Sequence, residues 1–183
     1  MVYPHLDLRT VSLICGLWLI LAHGFALLRP RPVQNWLRKF PRSKPVGAVL
    51  LAIDAVWAFL LIATMDLGEF THLRTILLVA IVVAAGLTFK YVDEFLAVRA
   101  LGILVLLVAE PMIEAAFLRP ETGRLLLVIW AYVLAVLGMI WVGIPYVLRD
   151  QIDWFRSSKA AWSAAAAAGV VYGVLLAGFG IIR

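Results

Sequence analysis

The chain has 183 residues, of which 64% are hydrophobic and 15% charged, and its mean hydropathy is +1.02. Soluble domains are about half apolar and about a quarter charged, so the composition excludes an ordinary soluble protein and predicts an all-α integral membrane protein. The net charge of +5 would suit nucleic acid in a soluble protein, but here the basic residues flank apolar runs, which indicates lipid head groups and no nucleic acid.

Six apolar runs are long enough to cross a bilayer, a distance that takes about 20 helical residues. They cover residues 8–28, 46–65, 72–89, 95–118, 124–148 and 160–182. Each run must be helical, because lipid offers the backbone no hydrogen-bond partner outside its own helix. The sequence therefore predicts one membrane domain over residues 1–183, a bundle of six transmembrane helices without a separate soluble module.

The first run holds the only cysteine, Cys15, and one of three histidines, His23. A single cysteine excludes an intrachain disulfide and a multi-cysteine metal site. A histidine in an apolar run can ligate a haem or a pigment, but it more often forms a hydrogen bond between helices. We expect no cofactor and no metal, and we keep His23 as a secondary binding candidate.

The basic residues are distributed unequally between the two ends of the predicted bundle. Six crossings put both termini on one side, and the loops after the first, third and fifth runs on the other. That second side carries Arg29, Arg31, Arg38, Lys39, Arg42, Lys44, Lys90, Arg99, Arg149, Arg156 and Lys159. The positive-inside rule makes this side cytoplasmic and both termini external, in an inner or plasma membrane. Loop 29–45 is the predicted contact with anionic head groups.

Three carboxylic acids interrupt the apolar runs. Asp54 falls near the middle of the second run, and Glu110 and Glu114 lie on one face of the fourth, on either side of Pro111. A charge at such depth costs about 2.5–3.5 kcal/mol on insertion scales, so it faces the bundle interior or a wet cavity, or takes up a proton. Pro111 removes an amide donor and frees a carbonyl near residue 107. We predict an ion-binding or ligand-binding site at these acids; alternatively, Glu114 pairs with Arg119 or Arg124 or reaches water, and Asp54 joins two helices.

The cytoplasmic loops resemble one another. Asn35-Trp36-Leu37-Arg38 matches Asp153-Trp154-Phe155-Arg156, and Asp93 begins a weaker copy in between. One interpretation is three repeated two-helix hairpins of about 60 residues. The alternative is that aromatic and basic residues prefer this depth in any membrane protein.

The last run carries small residues at every fourth position. They are Ala161, Ala165, Gly169, Gly173 and Ala177. Such a ridge lets helix backbones approach closely in lipid, and it predicts tight packing against a neighbouring helix. The neighbour is a helix of the same chain, a second copy in a homo-oligomer, or another subunit of a membrane complex.

No familiar catalytic motif is present, which argues against an enzyme. The compact polar segment 65–75 suits the cap of the third run better than a catalytic centre. Arg99 is the other secondary binding candidate, although its position suits a side chain that reaches the cytoplasmic interface. Two hypotheses remain ahead of a lipid-modifying enzyme. The first is a membrane protein that binds or translocates an ion, proton or small polar solute at Asp54, Glu110 and Glu114. The second is a non-catalytic accessory or scaffold subunit that uses the small-residue ridge as its contact surface.

Overall fold

The computed structural model describes residues 6–92 and 94–182, which form helices joined by short turns. The α-helices of this part of the chain are α1 (Leu8–Leu28), α2 (Pro30–Lys39), α3 (Lys44–Thr64), α4 (Arg74–Tyr91), α5 (Leu96–Ala116), α6 (Arg124–Gly143), α7 (Tyr146–Ser157) and α8 (Lys159–Ile182). A 3-10 turn, Gly68–Leu73, extends α4 at its start. Six helices are long and apolar enough to cross a membrane, which confirms the predicted number.

The fifth apolar run is shorter in the structure than the predicted range of 124–148. Helix α6 ends at Gly143, and Ile144 has φ −130° and ψ 71°, outside the helical region. Pro145 explains the break, because it has no N–H for the preceding turn and disfavours helical geometry at the residue before it. The chain then turns into α7, a separate amphipathic helix.

Helix α5 lies at the centre of the bundle. It packs against α3 on one side and α6 on the other, and it also touches α1. The approach to α6 is close because glycines meet there: a Cβ added to Gly102 would lie 2.9 Å from the carbonyl oxygen of Gly138. Small buried side chains lie along α5 as well: Ala97 and Ala100 are on the α3 side, and Ala109 belongs to the main core. The two acids of α5 are therefore held on the most constrained helix of the fold.

The small-residue ridge of α8 packs against α1 of the same chain. A Cβ on Gly173 would lie 2.8 Å from the carbonyl oxygen of Gly16, and Gly169 lies against the His23 ring. Ala161 and Ala165 continue the ridge and are half-buried. The indole N–H of Trp162 on α8 donates to the carbonyl of Ala26 on α1 at 3.1 Å and so links the two helices. The helix that packs against the ridge, which the sequence left open, is therefore α1. A partner protein would have to use another surface.

Helix α4 lies at the edge of the bundle. Its helix neighbour is α3, and none of its residues is buried. The other exposed helix faces also carry large apolar side chains, such as Leu17, Trp18 and Val136. An apolar exterior of this kind is what lipid requires and water disfavours.

Candidate functional site

Asp54 is the most deeply buried acid of the described residues. It lies on α3 three residues after Leu51, whose side chain packs against Leu96 and Ala100 of α5. The same face of α3 therefore carries Asp54 against α5. Only 2% of Asp54 is exposed, and within residues 6–92 and 94–182 neither carboxyl oxygen has a hydrogen-bond partner.

A carboxyl group in this position requires a physical account. Buried polar groups are almost always hydrogen-bonded, and an isolated buried carboxylate is far costlier than a neutral group. Asp54 therefore has two ways to remain between α3 and α5: it carries a proton, or it accepts a cation or a polar ligand. In both cases the carboxyl group of Asp54 binds something: a proton in the first case, and a cation or a polar ligand in the second.

Glu110 and Glu114 occupy a different place. They line an open groove of about 500 Å³ between α5 and α6, whose apolar walls include Leu106, Ile113 and Ala135. Glu110 is exposed and Glu114 is half-buried. The two carboxyl groups lie one helical turn apart on the same face of α5 and line the same groove, and two carboxyl groups can share a hydrogen bond only when one of them carries a proton. The groove can therefore hold a proton between the two groups or exchange it for a cation.

The structure brings Glu110 and Glu114 together but does not bring Asp54 into their groove. Parallel helices α3 and α5 touch where Gly47 meets Ala97. Counting from that contact at about 1.5 Å per residue, Asp54 and Glu110 differ in height by about 9 Å. Asp54 faces the α3–α5 interface, whereas Glu110 faces the groove on the α6 side. The predicted similarity in depth, within two helical turns, agrees with this geometry.

Two local predictions concern α5, one about Pro111 and one about the partner of Glu114. Pro111 lies inside α5 without ending it, so its missing N–H costs one intrahelical hydrogen bond, the one to the carbonyl of residue 107. Arg119 lies 3.6 Å from Asp7, and the alternative that Glu114 pairs with Arg119 or Arg124 stays a prediction.

The secondary candidates have structural roles. His23 Nδ1 lies 3.0 Å from the carbonyl oxygen of Leu19, to which it donates in the Nδ1–H tautomer. Arg99 donates to the carbonyl of Val142 at 3.1 Å and so fastens α5 to the last turn of α6. Within the described residues no group of three or more His, Cys, Asp or Glu is arranged to hold a metal ion.

The polar segment 65–75 forms the turn between α3 and α4. Asp66 accepts a hydrogen bond from the amide of Gly68 at 2.9 Å, and Arg74 donates to the carbonyl of Met65 at 2.7 Å. His72 Nδ1 lies 2.9 Å from the carbonyl oxygen of Glu69. These contacts stabilise the turn, whereas among the described residues no side-chain hydrogen bond caps the start of the 3-10 turn or of α4.

Sequence reasoning missed two polar cavities that form only when distant segments meet. One, of about 350 Å³, lies at the end of the bundle that holds Asp7, and Ser12 and Glu121 line it. The other lies at the opposite end, where Arg38, Arg42 and Arg149 meet. The individual charges were visible in the sequence, but their proximity depends on how α2 and α7 dock.

Comparison of the chain with protein-family models, with curated proteins and with solved structures finds no match.

Proposed function

We propose that this chain is a multi-pass protein of a cytoplasmic (inner or plasma) membrane that binds or translocates a proton or a small cation, with Asp54 at the binding position. The membrane location is supported by six long apolar helices and by the apolar exterior of the bundle. Soluble proteins rarely expose contiguous apolar surface on this scale.

The single observation that carries the proposal is the burial of Asp54 without a hydrogen-bond partner among the described residues. An ionisable group inside a membrane bundle is costly and tends to mark an ion or proton pathway. A structural aspartate would be expected to have a donor from the neighbouring helix, as Tyr172 has an acceptor in the carbonyl of Leu126 at 2.7 Å. Asp54 has no such contact, which favours binding over structural support.

Glu110 and Glu114 serve in this proposal as an outer acidic pair. Both acids line the groove between α5 and α6, and two carboxyl groups one helical turn apart offer a place to hold and release a proton. We assign Glu110 to the binding route and Glu114 to its external mouth. The orientation, with both termini external and loop 29–45 cytoplasmic, follows from the charge asymmetry.

The finer proposal of an internal repeat has support from two of its three units. A spanning helix, an amphipathic helix and a second spanning helix follow one another in α1–α2–α3 and again in α6–α7–α8. Trp36 and Trp154 lie on the amphipathic helices and are both exposed. In the middle unit, the residues that the structure describes between α4 and α5 form no amphipathic helix. Arg29 and Arg149 occupy different places, since Arg29 caps α1 and Arg149 lies within α7.

Flux measurements on proteoliposomes test the proposed function. The wild-type chain should carry protons, Na⁺ or K⁺ across the bilayer, read with an entrapped pH dye or an ion electrode. Asp54→Asn keeps the size of the side chain and removes its ionisation, so it should abolish this flux. Glu110→Gln should reduce flux, because the outer pair can no longer exchange its proton in the same way.

Asp66→Asn is the matched control, because it makes the same chemical change in an exposed turn. It should retain wild-type flux. Thermal shift with each cation provides a second readout, since a bound ion must raise the melting temperature of the wild type and not of Asp54→Asn. Wild-type flux in Asp54→Asn, or no flux and no ion-dependent shift in the wild type, would refute the proposal.

A second candidate function, an accessory or scaffold subunit of a membrane complex, has one observation in its favour. Helix α4 is held by α3 and the adjoining 3-10 turn, and none of its residues is buried. A partner helix could cover this face, whereas the small-residue ridge of α8 is already covered by α1. Cysteine cross-linking from Val79 on α4 in native membranes should then trap a second protein or a second copy. A chain that remains monomeric and unlinked would speak against this role.

A further inference from the structure

A basic cleft lies where the amphipathic helices meet at one end of the bundle. It has a volume of about 210 Å³ and forms between α2 with the 3-10 turn after it, Phe40–Arg42, and α7. Arg38, Arg42 and Arg149 provide its positive charge, Asp153 lies at its edge, and Leu37 and Ile152 form apolar walls. Three guanidinium groups thus line one small space.

The acids near the cleft are already balanced by arginines. Asp150 accepts hydrogen bonds from Arg149 Nε at 2.9 Å and Nη2 at 2.8 Å, and Asp153 is 3.1 Å from Arg156 Nη1. Within residues 6–92 and 94–182, Arg38 and Arg42 have neither an ion pair nor a hydrogen bond to their side chains. The cleft therefore has an excess of two uncompensated positive charges.

The walls of the cleft are held by packed side chains. Phe40 and Ile152 belong to one apolar cluster with Ala97 and Val98 at the start of α5, and Leu37 packs against it. Because both walls are anchored to the central helix, the backbone segments that carry Arg38 and Arg149 are held near each other before anything binds. Such preorganisation reduces the entropic cost of binding an anion.

An apolar groove adjoins the cleft on the other side of α7. It has a volume of about 700 Å³ and lies between α6 and α7, with Leu137, Trp141 and Phe155 among its walls. Ile152 lines both the groove and the cleft. A molecule with an anionic group and an apolar tail would fit the two spaces together, whereas a free anion would use only the cleft.

We propose that this cleft binds the phosphate group of an anionic phospholipid, with an acyl chain in the α6–α7 groove. The arginine fork matches phosphate oxygens in a bidentate geometry that an ammonium group lacks. In the orientation proposed above, the cleft faces the cytoplasmic leaflet, where anionic lipids and basic residues attract each other. The proposal rests on the membrane location and not on Asp54.

Native mass spectrometry of the detergent-purified chain tests it, with phosphatidylglycerol as the lipid and phosphatidylcholine as the reference. The variant Arg38→Gln/Arg42→Gln/Arg149→Gln should bind phosphatidylglycerol at least about tenfold more weakly than the wild type. The conservative variant Arg38→Lys/Arg42→Lys keeps the charge and loses the fork, so it should fall between the two.

The matched control is Lys90→Gln/Lys159→Gln, which removes the same charge as Arg38→Gln/Arg42→Gln from exposed positions at the same end of the bundle, outside the cleft and outside loop 29–45. It should bind phosphatidylglycerol nearly as tightly as the wild type. If the triple cleft variant does not fold, Arg38→Gln/Arg42→Gln replaces it, because both side chains are exposed, and it should still weaken binding severalfold.

Three results would overturn the proposal. The first is equal loss of affinity in the control, which would mean diffuse surface attraction. The second is unchanged lipid binding in the cleft variants. The third is that inorganic phosphate binds in the absence of lipid and displaces phosphatidylglycerol at similar concentrations. This result would assign the cleft to free phosphate.

Discussion

At the scale of single residues, two glycines of α1 differ in what the fold demands of them. A Cβ on Gly16 would lie 2.6 Å from the amide nitrogen of Ala177 and 2.7 Å from the carbonyl oxygen of Gly173, whereas one on Gly24 would meet nothing within 4 Å. Gly16→Ala should therefore separate α1 from α8 and lower the free energy of unfolding by about 1–3 kcal/mol. Thermal unfolding in detergent, followed by circular dichroism, measures the change.

Gly24→Ala is the control on the same helix. It should be neutral or should stabilise the protein by up to about 1 kcal/mol, because alanine favours helix more than glycine does. Equal melting temperatures for the two variants would mean that α1 and α8 are not in close backbone contact.

The residue scale also shows which parts of the site were predictable. Asp54 and Glu110 stand out in the sequence, because any acid inside an apolar run is unusual. Whether they share a space depends on the rotation of α3 and α5 about their axes, and the pattern of apolar residues leaves that rotation undetermined when helices are apolar all round. The meeting of Arg38 with Arg149 was hidden for a further reason: these residues are far apart in the chain, and only docking of α2 on α7 joins them.

At the scale of helices, α7 provides a direct test of how the amphipathic helices are held. Ile152 is 8% exposed and packs with Phe40 and Val98, whereas Trp154, on the same helix, is 64% exposed. Ile152→Ala should cost about 2–5 kcal/mol where the site cannot collapse, and it should increase hydrogen exchange across residues 146–157. Trp154→Ala should leave exchange there nearly unchanged. Similar exchange in both variants would show that α7 is not anchored by this contact.

The length and the apolarity of a segment explain why the spanning helices were predictable and the amphipathic helices were not. A window of about 20 apolar residues detects a membrane crossing, but α2 and α7 are shorter and mix basic with apolar residues. Pro30 and Pro145 mark where these helices begin, since proline is favoured in the first turn of a helix or just before it and disfavoured within. Pro145 also explains why α6 ends before residue 148, where the predicted fifth run ended.

At the scale of the whole molecule, the contacts separate two ends. The Phe40, Ala97 and Leu148 cluster joins the turns after α1, α4 and α6 at one end, and the pair of Asp7 with Arg119 joins α1 to the turn after α5 at the other. In the membrane arrangement that we propose, six crossings place the first and last described residues on one side. The excess of basic residues at the first end predicts that it is cytoplasmic.

Single-cysteine labelling on intact cells checks this topology. In a Cys15→Ala background, Glu69→Cys and Thr122→Cys should react with a membrane-impermeant maleimide from outside, because both positions are exposed and lie at the end that we propose to be external. Asn35→Cys and Ser158→Cys, exposed at the other end, should react only after permeabilisation. The reverse pattern would keep six crossings and overturn the orientation. Reaction of all four from one side would overturn the crossings, and with them the depth at which Asp54 needs a proton or a cation.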